Sequence, residues 1–169
     1  MKTKEKELSD RRINRLRAQG FTRETREELN DMAFGIRFAY RACVTILLVA
    51  VTTQSVALFV GMLAIAFLGI VLPNHPFDYV YNNTLRRKWN RLKLPPRSAQ
   101  LRFACIIATA WIATVIYLMA SGYTAAGTTM SVALILVALS PSTTDFCVPS
   151  AIYNALFQAK SPEVQTHNN

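Results

Sequence analysis

Two stretches without one ionised side chain constrain this chain more than any other feature. Ala42 to Phe77 is 36 residues free of Asp, Glu, Lys and Arg, and Phe103 to Thr144 is another 42. As one helix the shorter run would extend roughly 54 Å at about 1.5 Å per residue. A bilayer's hydrocarbon core is about 30 Å thick and takes ~20 residues. Each run is therefore too long for one crossing and suits two crossings joined by a tight turn. Two buried hairpins of a soluble protein would leave almost no polar face on any helix, unlike the helices of globular domains. Uncharged turn sequences interrupt both runs, at Thr52-Thr53-Gln54-Ser55 and from Ser121 to Thr128.

Half of the residues are hydrophobic, yet the formal charge is +9. The two coexist because the charge is segregated. Eleven of the nineteen Lys and Arg lie at or before Arg41, seven between Arg86 and Arg102, and one at Lys160. Excess Lys and Arg stay on the cytoplasmic side, so all three segments belong there. The reading is an all-α integral membrane protein with four transmembrane helices as two tandem hairpins, 33–72 and 102–140, and both termini cytoplasmic. Interfacial segments cover 74–92 and 145–159, a charged arm covers 1–32, and 160–169 forms a disordered tail.

The arm is too charged to begin a secretory signal, so the first membrane helix is expected to serve as an uncleaved anchor. Ser9-Asp10 caps a short helix carrying Ile13 and Leu16 and ended by Gly20, and Thr22 caps another through Asn30. The eleven cations through Arg41 face seven acids, which suits a solvated segment near anionic headgroups or a docking arm for a partner protein. Helix one spans about Ala33 to Val51 and takes Arg37 and Arg41 into its inner end. Helix two runs from Ser55 to Leu72, where Gly61 and Ala64 offer a small-residue face for close packing. The stretch Pro73 to Gln100 follows, with Pro76 suited to a first helical turn. Phe77, Val80, Tyr81 and Leu85 recur there at helical spacing before Arg86, Arg87, Lys88, Trp89 and Arg91, which describes a helix in the membrane interface. The same cations fix topology, so a nucleic-acid partner is not indicated. Helix three covers Arg102 to Met119 and helix four Thr128 to Ser140, broken at Pro141.

The halves resemble each other. Arg37-Phe38-Ala39-Tyr40 opens the first hairpin and Arg102-Phe103-Ala104-Cys105 the second, 65 residues on. Pro73 and Pro141 end them at an offset of 68, Val80-Tyr81-Asn82 answers Ile152-Tyr153-Asn154 at 72, and Asp78 and Asp145 fall in corresponding regions. Small drifts of this kind are what tandem duplication with short insertions leaves. Both halves would then insert the same way, about an axis along the membrane normal.

The paired Arg-Phe-Ala openings, His75-Pro76-Phe77, the Pro95-Pro96 segment and the terminal Phe146-Cys147 together resemble a bacterial family of four-helix membrane proteins known as a domain of unknown function. The resemblance spans about residues 33–158 and implies the bacterial inner membrane. Members often end in Phe-Cys-(Ile/Leu)-Gly-Cys, which implies thiol or sulfur-linked redox chemistry for them. Here the phrase is Phe146-Cys147-Val148-Pro149-Ser150, so that pair alone offers no dithiol.

Function is expected to be non-catalytic, an accessory or assembly subunit of a larger membrane complex, with the bilayer and membrane proteins as partners. One alternative is a thiol-linked redox protein using Cys147, although Asp145 nearby opposes a thiolate. The other is a small-solute transporter acting as a homo-oligomer, although the spans lack intramembrane acids. Cys43, Cys105 and Cys147 are widely spaced and expected to be reduced. His75, Asp78, Asp145 and Cys147 are mixed single ligands without metal spacing, so neither metal nor cofactor is expected. The polar cluster comprises these four residues with Arg37, Arg41, Arg102, Tyr81 and Tyr153. At least one of Asp78 and Asp145 should contact one of the three arginines, because an unpaired acid near lipid is costly.

Overall fold

Thr25 decides where the first long helix starts. Its side chain accepts from the Glu28 N–H at 3.3 Å, and the Glu28 carboxylate accepts from the Thr25 N–H at 2.8 Å. This capping box satisfies two orphan donors of a helix start. The computed structural model describes residues 7–158; the tail at 160–169 and the first six residues of the arm lie outside them. A short helix, α1 (Asp10–Ala18), precedes α2 (Arg26–Thr52). The cap is thus Thr25 rather than Thr22, and the helix does not stop at Asn30. Leu29, Met32, Ala33 and Ile36 form one continuous buried face across the expected boundary at residue 33.

The arm is not a solvated one. Leu8, Ile13, Leu16 and Phe21 join Leu29, Met32, Ala33, Ile36, Tyr81, Leu94 and Leu101 in a single apolar cluster. Burying side chains of this size is worth about 1.5–3 kcal/mol each. The chain reverses at Gly20, whose φ of +98° favours glycine and where a Cβ would collide with the Ser98 side chain.

After a turn with Gln54 at φ +50°, α3 (Val56–Val71) returns. A short helix α4 (Pro76–Val80) passes through a π-helical turn (Tyr81–Leu85) into α5 (Arg86–Lys88). The second half comprises α6 (Ala99–Ala120), α7 (Thr124–Thr144), α8 (Val148–Tyr153) and a second π turn (Asn154–Gln158). In the bundle α2 packs on α3 and α7, and α6 packs on the same two, so α2 and α6 lie on a diagonal.

Both tight turns sit at one end, where Gln54 Nε2 donates to Thr128 Oγ1 at 3.3 Å. At the other end Trp89 meets Phe34 edge-on at 4.8 Å between ring centroids, and the Leu92 N–H donates to Asp31 at 2.6 Å. Three helices, α2, α6 and α7, are long and apolar enough to cross a membrane. The 16 residues of α3 reach only about 24 Å; with its continuation Pro76–Lys88, bent by 80°, it makes up to four.

Two expectations need correction. Helix four continues through Pro141 to Thr144. Proline removes one ladder donor, but the hydroxyls of Ser142 and Thr143 donate to the Leu139 carbonyl and that of Thr144 to Ser140, each at 2.8 Å, and these bonds hold the last turn. The packed face of α3 is Phe59, Met62, Ala66 and Gly69, whereas Gly61 and Ala64 are exposed. The close-approach glycine is Gly69.

Candidate functional site

Above the first apolar cluster, a second fills the bundle with Val44, Leu47, Phe59, Met62, Ala66, Ile112, Val115 and Leu134 among others. Residues 39–43 of α2 and 104–108 of α6 fall between the two clusters and line a cavity of about 180 Å³. Its walls are almost entirely apolar, and its polar members are Tyr40, His75, Arg97 and all three cysteines, Cys43, Cys105 and Cys147.

Arg97 organises the polar side. Pro95 and Pro96 hold the approach to α6 extended, and the Arg97 N–H donates to the Pro73 carbonyl at 2.8 Å. Its Nε donates to Asp78 Oδ2 at 2.9 Å and its Nη1 to Cys105 Sγ at 3.3 Å. Both charged side chains are 8 % exposed. Burial works against the guanidinium's charge, but Asp78 and the surrounding polar groups more than offset it and raise the Arg97 pKa above its usual value.

His75 caps α4, with Nδ1 accepting from the Phe77 N–H at 3.4 Å while its own N–H donates to Asp78 Oδ2 at 3.1 Å. Burial first, then Arg97, push its pKa down to about 4 against the opposing pull of Asp78. The ring is therefore neutral at pH 7. With Nδ1 accepting, the proton is assigned to Nε2, a donor without a partner among the described residues. His75 and Cys105 both crowd the Cα of Gly69, which leaves no room there for a Cβ.

Cys147 comes in from the other side. It precedes α8 in extended conformation and sits beside the Tyr40 hydroxyl, which donates to Gln19 Oε1 at 3.2 Å. Cys105 lies within electrostatic reach of both other thiols. Asp145 is not an isolated charge. Arg37 Nε and Nη2 reach its two oxygens at 2.6 and 2.7 Å, and Arg12 Nε reaches Oδ2 at 2.6 Å. Nor does it cap α8: it ends α7 in the left-handed region at φ 59°.

The expected polar cluster is thus divided. His75, Asp78 and Cys147 gather near the cavity, and Asp145 with Arg37 forms a separate ion pair behind it. Arg41 is exposed, Arg102 is half-buried, and neither meets an acid among the described residues. Tyr81 is fully buried between Phe34 and Phe38, whereas Tyr153 stacks on Phe103 and Phe157. No group of three or more His, Cys, Asp or Glu among the described residues is arranged to hold a metal ion. Residues 33–158 match the family model of a domain of unknown function, DUF4395.

The chain belongs to this family.

Neither the curated proteins nor the solved structures contain a match to it. DUF4395 carries no assigned chemistry, so the site must be read from its own residues. Sequence reasoning missed Arg97, Arg12, Gln19, Tyr40, Cys43 and Cys105. For two of them a signal existed: Tyr40 and Cys105 occupy the same place after Arg-Phe-Ala, as His75 and Cys147 occupy the same N-cap place before α4 and α8. Tyr40 sits beside Cys147, and His75 and Cys105 both close on Gly69.

Proposed function

We propose that this DUF4395 protein is a bacterial inner-membrane protein that crosses the bilayer four times and performs thiol redox chemistry in the cavity between its two halves. One observation carries the reading. Three cysteines scattered over 105 residues of sequence line a single apolar cavity, together with a buried arginine bonded to one of the sulfurs. Scattered cysteines that merely fill space would have no reason to share one wall with a buried arginine and a buried histidine. Loss of the second thiol at Ser150 no longer rules out a dithiol, since α6 supplies Cys105.

Support for the topology is the collection of cations at one end of the bundle, with uncharged turns at the other, as the positive-inside rule requires. On this reading α3 is the remaining crossing, its bent continuation lies in the membrane interface, and both termini are cytoplasmic. The matched short helices and π turns support descent from a tandem duplication. An accessory-subunit role rests on exposed aromatic residues such as Phe157 and Tyr123, which a bilayer interface satisfies as well as a partner does. A transporter would need a polar route, and the cavity walls are apolar.

The test is the redox state of the thiols in cells. Acid-quenched membranes are labelled with a maleimide carrying a large polymer, before and after reduction. A species with two thiols protected until reduction supports the reading. Three freely labelled thiols under reducing and oxidising growth alike would reject it.

A further inference from the structure

We infer that the cavity receives the head group of a lipid-soluble quinone, which Cys105 and Cys147 reduce. This rests on the thiol redox reading and names the electron acceptor that it lacks. Size is the first argument. An apolar cavity of about 150 Å³ holds one benzene ring, and this one is about 180 Å³, which fits a single substituted ring rather than a peptide or a lipid headgroup. Charge is the second. Arg97 is neutralised by Asp78 and His75 is uncharged at pH 7, so the site offers hydrogen-bond donors without a net charge to hold an anion. A neutral molecule with a carbonyl acceptor matches His75 Nε2–H at the polar side. Leu47, Met62 and Leu134 suit the apolar remainder.

The choice of thiols follows from the packing. Cys147 leads into α8, which packs directly on α6, the helix of Cys105, whereas Cys43 lies on α2 across the diagonal from α6. The step balances without another reagent. Two S–H bonds break and one S–S bond forms. The two electrons and two protons pass to the quinone, whose carbonyl oxygens become the hydroxyls of the quinol. An external dithiol protein resets the pair by thiol–disulfide exchange.

The experiment uses the full-length reduced protein in nanodiscs, without oxygen, and decylubiquinone, whose fully substituted ring cannot alkylate a thiol. Two of three thiols should disappear per quinone reduced, with a Cys105–Cys147 disulfide on peptide mapping. Cys105→Ser and Cys147→Ser should each lose at least tenfold in rate, while Cys105→Ser still binds the quinone. A disulfide that involves Cys43, or thiols that stay reduced with quinone present, overturns the inference. Diamide, a general thiol oxidant, separates the two levels. If it forms the disulfide where quinone does not, the quinone fails and the thiol reading stands; if it leaves all three thiols free, both fail.

Discussion

Arg37 grips Asp145 through two nearly parallel hydrogen bonds, at 2.6 and 2.7 Å, although 108 residues separate them. The carboxylate is fully buried and Arg37 is 13 % exposed. Arg12, 33 % exposed, adds a third bond, and its Nη2 and Arg15 Nη1 reach the Thr143 and Thr144 carbonyls left open at the end of α7. Bidentate arginine pairs add geometric specificity to energy, and this one locks the end of the second hairpin to the first helix and the arm.

Asp145→Asn should therefore be costly. Asparagine tolerates the left-handed backbone there, so the change isolates the charge and strands Arg37. Removing one partner of a buried pair costs roughly 3–5 kcal/mol. Arg12→Ala should cost less, about 1 kcal/mol, because Arg12 is the more exposed of the two arginines. Unfolding in detergent monitored by circular dichroism would rank the two. Equal losses would mean that the arm, and not Arg37, holds the carboxylate.

Arg97→Gln removes the partner of Asp78 and the donor to Cys105 together. A loss of roughly 3 kcal/mol in stability is expected from the stranded carboxylate, and Asp78→Asn combined with Arg97→Gln should recover part of it. A double variant no better than the single ones would show that Asp78 matters as the helix cap that accepts the His75 N–H, and that its charge is incidental.

Stability should also fall with pH in a window set by His75. Its pKa is about 4 in the fold against 6.5 unfolded. Between those values the unfolded chain binds a proton that the folded one refuses, so the contribution is complete above about pH 6.5 and is lost as pH falls toward 4. The full loss is on the order of 3 kcal/mol. His75→Asn, which keeps a capping oxygen, should lack the fall in melting temperature that wild type shows through that window. A pH slope unchanged by the substitution would assign it to other groups.

How much of this was legible from the chain depends on the range of the interaction. The bundle was, because its signal is local: uncharged runs of fixed length, tight-turn residues and segregated cations. Capping was partly so, and it went wrong where two candidates competed, since Thr25 has Glu28 three residues on and Thr22 has no such carboxylate. The extension of α7 past Pro141 needed three hydroxyls that read as a loop signal. The site was hidden for another reason. Cys43, Cys105 and Cys147 meet only after four helices close, and Arg97 looked like one more topology-setting cation. The N-caps His75 and Cys147 lie 72 residues apart in sequence, as do Tyr81 and Tyr153.

Three glycines to alanine give the sharpest test of the packing. At Gly61 an added methyl meets nothing within 4 Å, and alanine is the better helix former by up to about 1 kcal/mol. Gly61→Ala should be neutral or slightly stabilising. At Gly35 the methyl would press into the ring of Tyr81, which is fully buried and has little freedom to retreat. Overpacking of this kind costs about 1–3 kcal/mol. At Gly69 it would lie 2.7 Å from the His75 ring and 2.8 Å from Cys105 Sγ. Gly69→Ala should carry a similar penalty and also disturb the thiol, because the sulfur or the imidazole has to move. Alkylation of Cys105 by a small maleimide reads that displacement directly, with Gly35→Ala as the control that is destabilised without touching the cavity. If Gly69→Ala and Gly35→Ala change the alkylation rate equally, the effect is loosening of the whole bundle, and the close contact of α3 with the site does not hold.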